Sequence, residues 1–279
     1  MLHDRNPQKL ELALQEVRAV SLRGRVSSYL ADFSKLDDVY RFVEEIKRDF
    51  QSINVLFNNA GLYAGKERKE SFENVELTFM LSVLVPYMLT TELSPLLEKA
   101  SDGRVINTSS YMHHFAKVKD LDFGFENNYN PGLAYNNSKL YTIWITRYLA
   151  REFFIKGSSI TINAYHPGLI STNLGNDSSD EKTKKSLFGR LMKSFSKNLD
   201  EGIETGYYLT FSEEVTGLTG YYFDEKKVKS LSEKCYTFEK ARDLISYCEN
   251  KIEMFKQKSA LLNWKKSSLS ILLERELFL

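Results

Sequence analysis

The sequence predicts a doubly wound α/β fold, and three observations carry that prediction. Apolar runs of strand length alternate with helix-period segments, which implies right-handed crossovers and a parallel sheet covered on both faces. Three consecutive strands end in small, polar or glycine residues, which gathers chemistry at one sheet edge. The composition is globular: 279 residues, 42% hydrophobic and 27% charged, enough for one large domain or two small ones.

The elements follow in order. Residues 7–20 read as a helix, 25–31 (RVSSYLA) as a strand, and 36–50 as a helix with Leu36, Val39, Tyr40, Val43 and Ile46 on one stripe. Residues 53–57 (INVLF) form a short buried strand. A long helical stretch over 71–99 carries Pro86, which should kink it. Residues 104–108 (RVINT) return to strand, 133–156 form a third long helix, and Gly157 supplies a left-handed cap. Residues 159–165 are strand, 200–211 helix, and 220–223 (GYYF) the last strand. Between 174 and 199 a Lys-rich segment hides Leu187, Phe188, Leu191, Met192 and Phe195 at helical spacing, and reads as an inserted lid. The fold domain is expected over 1–254, with a tail of unassigned structure at 255–279.

Charge and cysteine content narrow the function. A formal net charge of +1 offers no field to steer the chain onto nucleic acid or anionic lipid. Cys235 and Cys248, with no histidine between them, fit neither a disulfide framework nor a zinc site. The first residues lack an apolar signal core, and no stretch reads as a membrane span. A cytoplasmic protein with no transmembrane segment and no nucleic-acid partner is expected.

The chemistry concentrates at the strand ends. Tyr135 and Lys139 lie one helical turn apart and share a face. A nearby ammonium favours a phenolate and should lower the tyrosine's pKa from about 10, which makes a tuned acid/base. Ser109 and Ser110 end RVINTSS. Asn58-Asn59-Ala60-Gly61 ends the preceding strand, and His166-Pro167-Gly168 with Thr172 ends the following one.

This combination resembles the short-chain dehydrogenase/reductase family, most closely its retinol-dehydrogenase-like branch. The Ser110-to-Tyr135 segment is long, as in that branch. The resemblance covers about residues 2–254 and implies a Rossmann-like fold and an oxidoreductase interconverting an alcohol and a carbonyl with a nicotinamide dinucleotide. It implies Tyr135 as acid/base and Ser110, second of its pair, as the group that hydrogen-bonds the substrate oxygen. Lys139 would hold the nicotinamide ribose and lower the tyrosine pKa. Asp32 matches the adenine-contacting acid, although it, Ser34 or Asp37 could instead cap the next helix. Asn59, Ala60 and Gly61 would pass along the adenosine ribose, while Pro167, Gly168 and Thr172 would flank the nicotinamide. His166 is expected to be structural. Arg5 could pair with a 2′-phosphate and favours NADP over NAD, against Asp4 beside it.

Two departures stand beside these matches. The family's first strand and glycine-rich pyrophosphate turn have no counterpart, so an N-terminally truncated version of the fold is expected. Ser82 occupies the position of a family asparagine, where it could still bond a relay water. The alternative reading is a catalytically silent relative acting as a binding or regulatory protein, or a fragment of a longer enzyme. The substrate should be a small, lipophilic alcohol or carbonyl, and a homo-oligomer is possible.

Overall fold

A computed structural model describes residues 1–21, 24–63, 65–118, 121–127, 129–168, 199–231 and 236–276. The element order is β1 (Leu2–Asp4), α1 (Pro7–Val20), β2 (Ser28–Leu30), α2 (Leu36–Asp49), β3 (Val55–Asn58), α3 (Leu77–Leu97), β4 (Arg104–Thr108) and α4 (Pro131–Ile155). It continues with β5 (Thr161–Tyr165), α5 (Leu199–Phe211), β6 (Tyr222–Asp224), β7 (Lys227–Lys229) and α6 (Phe238–Glu276). The expected lid and Thr172 lie outside the described residues, as does Cys235.

The strands form two sheets. β1 and β2 pair in parallel, and β3-β4-β5-β6-β7 form a five-stranded sheet that is parallel except for β7. The α/β architecture is therefore present, with the sheet divided between β1 and β3. Along β4 the side chains alternate: Val105 joins the large core with α2, α3, α4 and α6, whereas Ile106 packs with Leu209 of α5. Helices thus cover both faces, as period-two alternation in a parallel sheet requires.

Several expected boundaries move for local reasons. β2 is shorter than 25–31 because its partner β1 offers three residues to pair. The Ile53 N–H bonds the Leu96 carbonyl, so β3 starts at Val55. The helix expected from Ser71 starts at Leu77: Ser71 organises a turn through its Oγ with the N–H groups of Glu73 and Val75, and Glu76 caps the helix by accepting the Phe79 N–H at 2.7 Å. Pro86 cannot donate an N–H, and the turn just before it, Met80–Leu84, is a π-turn closed by Val85 N–H to the Met80 carbonyl. The Ser82 carbonyl, four residues before Pro86, lies 2.9 Å from Thr142 Oγ1 of α4, which can donate to it.

Two expectations need correction. Residues 220–223 are not the last strand, because β6 turns through Glu225 and Lys226 into antiparallel β7. Both turn residues hold left-handed backbone (φ 51° and 62°), where hairpins ordinarily place Asn or Gly, so the sequence hides this turn. The tail, whose structure the sequence left unassigned, continues α6 to Glu276. By length and composition α3 does qualify as a span, yet 72% of its apolar window is buried inside the protein. Its apolarity is accounted for by its place in the core, with Phe79, Met80, Leu84, Met88, Leu93 and Leu97 almost wholly enclosed.

Candidate active site

β3, β4 and β5 run parallel in adjacent register, so the segments following them emerge side by side at one edge. α4 enters above that edge. Asn130 caps it by accepting the Leu133 N–H at 2.9 Å, and Pro131 stands in its first turn, where a missing N–H costs nothing. This start places Tyr135 and Lys139 on the turns that overlie Thr108 and Ser110.

The two serines of β4 separate by geometry. Ser109 is buried, and its Oγ donates to the Lys139 carbonyl at 2.7 Å. Ser110 is half-buried and hydrogen-bonds the Tyr135 side chain. Lys139 Nζ donates to the Thr108 carbonyl at 3.0 Å and lies 5.7 Å from the Tyr135 ring centroid. Gly61 completes the cradle: a Cβ there would stand 3.2 Å from Lys139 Nζ.

Electrostatics correct one sequence expectation. Tyr135 is pushed above the ordinary tyrosine value by burial, with the Ser110 hydrogen bond opposing. The Lys139 ammonium spends a donor on the Thr108 carbonyl rather than on the phenol, so it does not set that value. Burial alone lowers Lys139 to about 8, because a desolvated ammonium loses its hydration. In this arrangement Tyr135 is a protonated phenol at neutral pH, fit to donate.

The remaining candidates are placed as follows. Pro167 and Gly168 lie half-buried at the end of β5, and Asn59 and Ala60 are exposed after β3. Asn59 Oδ1 accepts from Thr108 Oγ1 at 3.3 Å. Asn58 is internal, donating to Asn107 Oδ1 at 2.8 Å. Asp32 Oδ1 accepts from the Ser34 N–H and Oγ, which leaves the start of α2 to another group. That group is Glu73, accepting the Leu36 N–H at 2.9 Å, and neither Asp32, Ser34 nor Asp37 caps the helix. Arg5 is exposed just past β1, next to Asp4, whose carboxylate accepts the Asn6 N–H. Ser82 is buried with its Oγ unpartnered among the described residues, as is that of Ser138 on α4.

Residues that the sequence left unread also reach the site. His113 Nδ1 donates to the Ser110 carbonyl at 2.7 Å, and burial pushes its pKa down to about 4. The ring is therefore neutral. Tyr63 lies 5.8 Å from Tyr135 between ring centroids, and Tyr111 and Phe115 expose aromatic surface just after Ser110. The run of aromatic and histidine residues directly after a site serine was the available clue.

Lys139 retains two N–H donors after bonding Thr108, and side-chain-free Gly61 lets a ligand ribose approach it. These residues fit the nicotinamide-ribose half of a dinucleotide. The described residues hold no glycine-rich turn opening a helix for the pyrophosphate.

Residues 1–183 match the family model of the short chain dehydrogenases. The chain belongs to the short-chain dehydrogenase family. Human retinol dehydrogenase 14 is 32% identical over 225 residues, covering 81% of this chain and 66% of that protein. Human polyprenol dehydrogenase is 30% identical over 232 residues, covering 81% and 69%. The chain spans about two thirds of the length of these curated relatives, and they place it in the retinol-dehydrogenase-like branch. Among solved structures, an uncharacterized protein from Mycobacterium paratuberculosis superposes with a TM-score of 0.68 at 22% identity, over 90% of this chain and 83% of that one. The Pseudomonas aeruginosa RhlG/NADP complex gives 0.60 at 19% identity, over 79% and 82%. These two likenesses support the Rossmann-like fold.

Proposed function

We propose that this chain is an oxidoreductase that interconverts a lipophilic alcohol and its carbonyl, using NADP in preference to NAD. The observation that carries the reading is the convergence of Ser110, Tyr135 and Lys139, delivered by β4 and α4 to one sheet edge. A nicotinamide dinucleotide supplies hydride when bound. Ser110 hydrogen-bonds the carbonyl oxygen and polarises it, and Tyr135 donates the proton to that oxygen as negative charge develops. Lys139 and Gly61 would hold the ribose of that dinucleotide, and Pro167 and Gly168 would flank its nicotinamide. Asp32, Asn59 and Ala60 would take the adenosine side, and Arg5 would pair with a 2′-phosphate. Tyr63, Tyr111 and Phe115 give the mouth an aromatic wall suited to an apolar chain.

The test is Tyr135→Phe, which keeps the ring and removes the proton. NADPH-dependent reduction of a long-chain aldehyde should fall by ~10²–10⁴, while wild-type turnover by the variant would overturn the assignment. Arg5→Ala should lose the preference for NADP in kcat/KM, and an unchanged ratio would remove the case for NADP.

A second reading draws on the divided sheet and Ser82: a family member that keeps the fold as a binding or regulatory protein. Calorimetric titration with NADPH separates the two, since micromolar affinity supports the enzyme and no binding supports the silent relative.

A further inference from the structure

Beside the Ser110–Tyr135 centre lies a polar arrangement that the proposed reaction does not use. β5 and β6 pair in parallel with Ala164 opposite Tyr222 and Tyr165 opposite Phe223, and continuing that register sets His166 beside Asp224. The bond is present: His166 Nε2 and Asp224 Oδ1 are 2.9 Å apart. On the other side of the ring, His166 Nδ1 accepts the Gly168 backbone N–H at 2.9 Å. An accepting Nδ1 must be unprotonated, so the proton of the neutral ring sits on Nε2 and is donated to the carboxylate. Asp224 therefore selects the one neutral tautomer that can hold Gly168.

The surroundings fix both partners. The His166 ring stacks on Tyr222 at 6.0 Å and meets Tyr111, the neighbour of Ser110, at 5.9 Å. Asp224 opens the β6–β7 hairpin, which is tied to α5 by Lys226 Nζ to Glu204 at 3.0 Å and by the Lys226 N–H to Thr205 Oγ1 at 3.2 Å. These elements enclose a cavity of about 160 Å³ against Pro167 and Gly168. Gly168 has φ +81°, a left-handed conformation that glycine adopts without steric cost and with many alternatives open to it.

We propose that His166 is a positioning residue: locked by Asp224, it holds the Pro167-Gly168 turn in the conformation that receives the nicotinamide half of the dinucleotide. This inference rests on the cofactor reading above. Its chemistry is specific, because the turn needs a hydrogen-bond acceptor at the place of Nδ1, and the size of the ring is secondary.

Four variants separate that role from packing. His166→Asn keeps an acceptor three bonds from Cα, at the place of Nδ1, and can accept the Gly168 N–H as an Asx turn does. His166→Gln reaches Asp224 but carries no acceptor at the nearer position. His166→Phe keeps the ring alone, and His166→Ala keeps nothing. Two readouts are taken on the whole chain: hydrogen exchange of the Gly168 amide without ligand, and calorimetric affinity for NADPH. The Gly168 amide should be protected in the wild type and in His166→Asn, and exposed in the other three. NADPH affinity should fall about tenfold in those three, the factor that accompanies one lost hydrogen bond, and stay within about twofold in His166→Asn. Protection or affinity that follows ring size, with Phe near wild type and Asn near Ala, would overturn the proposal. A wild type that binds no NADPH sinks the cofactor reading, and the amide pattern without ligand then decides by itself whether His166 holds the turn.

Discussion

Gly61 stands against Lys139 so closely that a single methyl group on it would lie 3.2 Å from the lysine Nζ. The ammonium is held on the Thr108 carbonyl at 3.0 Å, so a side chain at 61 has to push it off that anchor. Because a flexible side-chain end yields more readily than backbone, the fold itself should tolerate the change. Gly61→Ala is expected to leave the thermal midpoint unchanged or raise it, since alanine restricts the unfolded chain by about 0.4–1 kcal/mol. NADPH affinity should drop several-fold in the same variant. Parallel melting and calorimetric titration check it, and a loss of stability with affinity intact would contradict the argument.

The adjacent serines should respond oppositely. Ser109→Ala removes a buried 2.7 Å bond to the Lys139 carbonyl and is expected to cost about 1 kcal/mol of stability. Ser110→Ala removes the partner of Tyr135 and a long 3.3 Å bond from the Met112 N–H; it should cost less stability than Ser109→Ala while reducing turnover by about 10²-fold, the scale of a lost oxyanion donor. Unfolding curves and initial rates on both variants decide the pair.

How much of this site the sequence disclosed depends on how local each feature is. Pro7–Val20 and Arg104–Thr108 match their expected bounds, because a proline at the start of one and the β-branched pair Val105-Ile106 just after Gly103 in the other are local cues. The choice of Ser110 over Ser109 came from resemblance, whereas the structure distinguishes them by what each touches. The His166–Asp224 bond was not legible at all, since it arises from strand register between distant segments. The β6–β7 turn was missed because Glu225 and Lys226 lack the residue types that usually mark left-handed turns. The expected lowering of Tyr135 failed for a related reason: spacing on a helix says which residues share a face, and not that Lys139 would turn its ammonium to Thr108.

Lys139 should cost the protein stability. Its pKa falls from 10.5 in an ordinary lysine to about 8 in the folded chain. Between those values the unfolded chain holds a proton that the folded chain lacks, so stability rises with pH across that window, and below about pH 8 the whole penalty persists. Lys139→Met retains the apolar stem and removes the charge. It is expected to be more stable than the wild type at pH 7, by at most about 3 kcal/mol, with the difference shrinking from pH 8 towards pH 10. Chemical denaturation of both proteins across that range tests the sign. A pH-independent difference would show that the lysine charge is not what burial penalises.

The divided sheet makes the last prediction. No strand bridges β1 and β3 among the described residues, so β3 presents an open edge with unpaired backbone groups on one side. Phe57 on that edge is 38% exposed, and Ile203, Tyr207 and Phe211, one turn apart along α5, are 55%, 66% and 66% exposed. The Tyr207 and Phe211 rings lie 4.7 Å apart, so the apolar stripe is continuous. An apolar stripe beside an open parallel edge favours contact with a second copy of the chain. The chain is expected to self-associate with concentration in sedimentation, and the double variant Tyr207→Lys, Phe211→Glu should shift it towards monomer without unfolding it. A wild-type chain that stays monomeric at high concentration would contradict this account of the open edge.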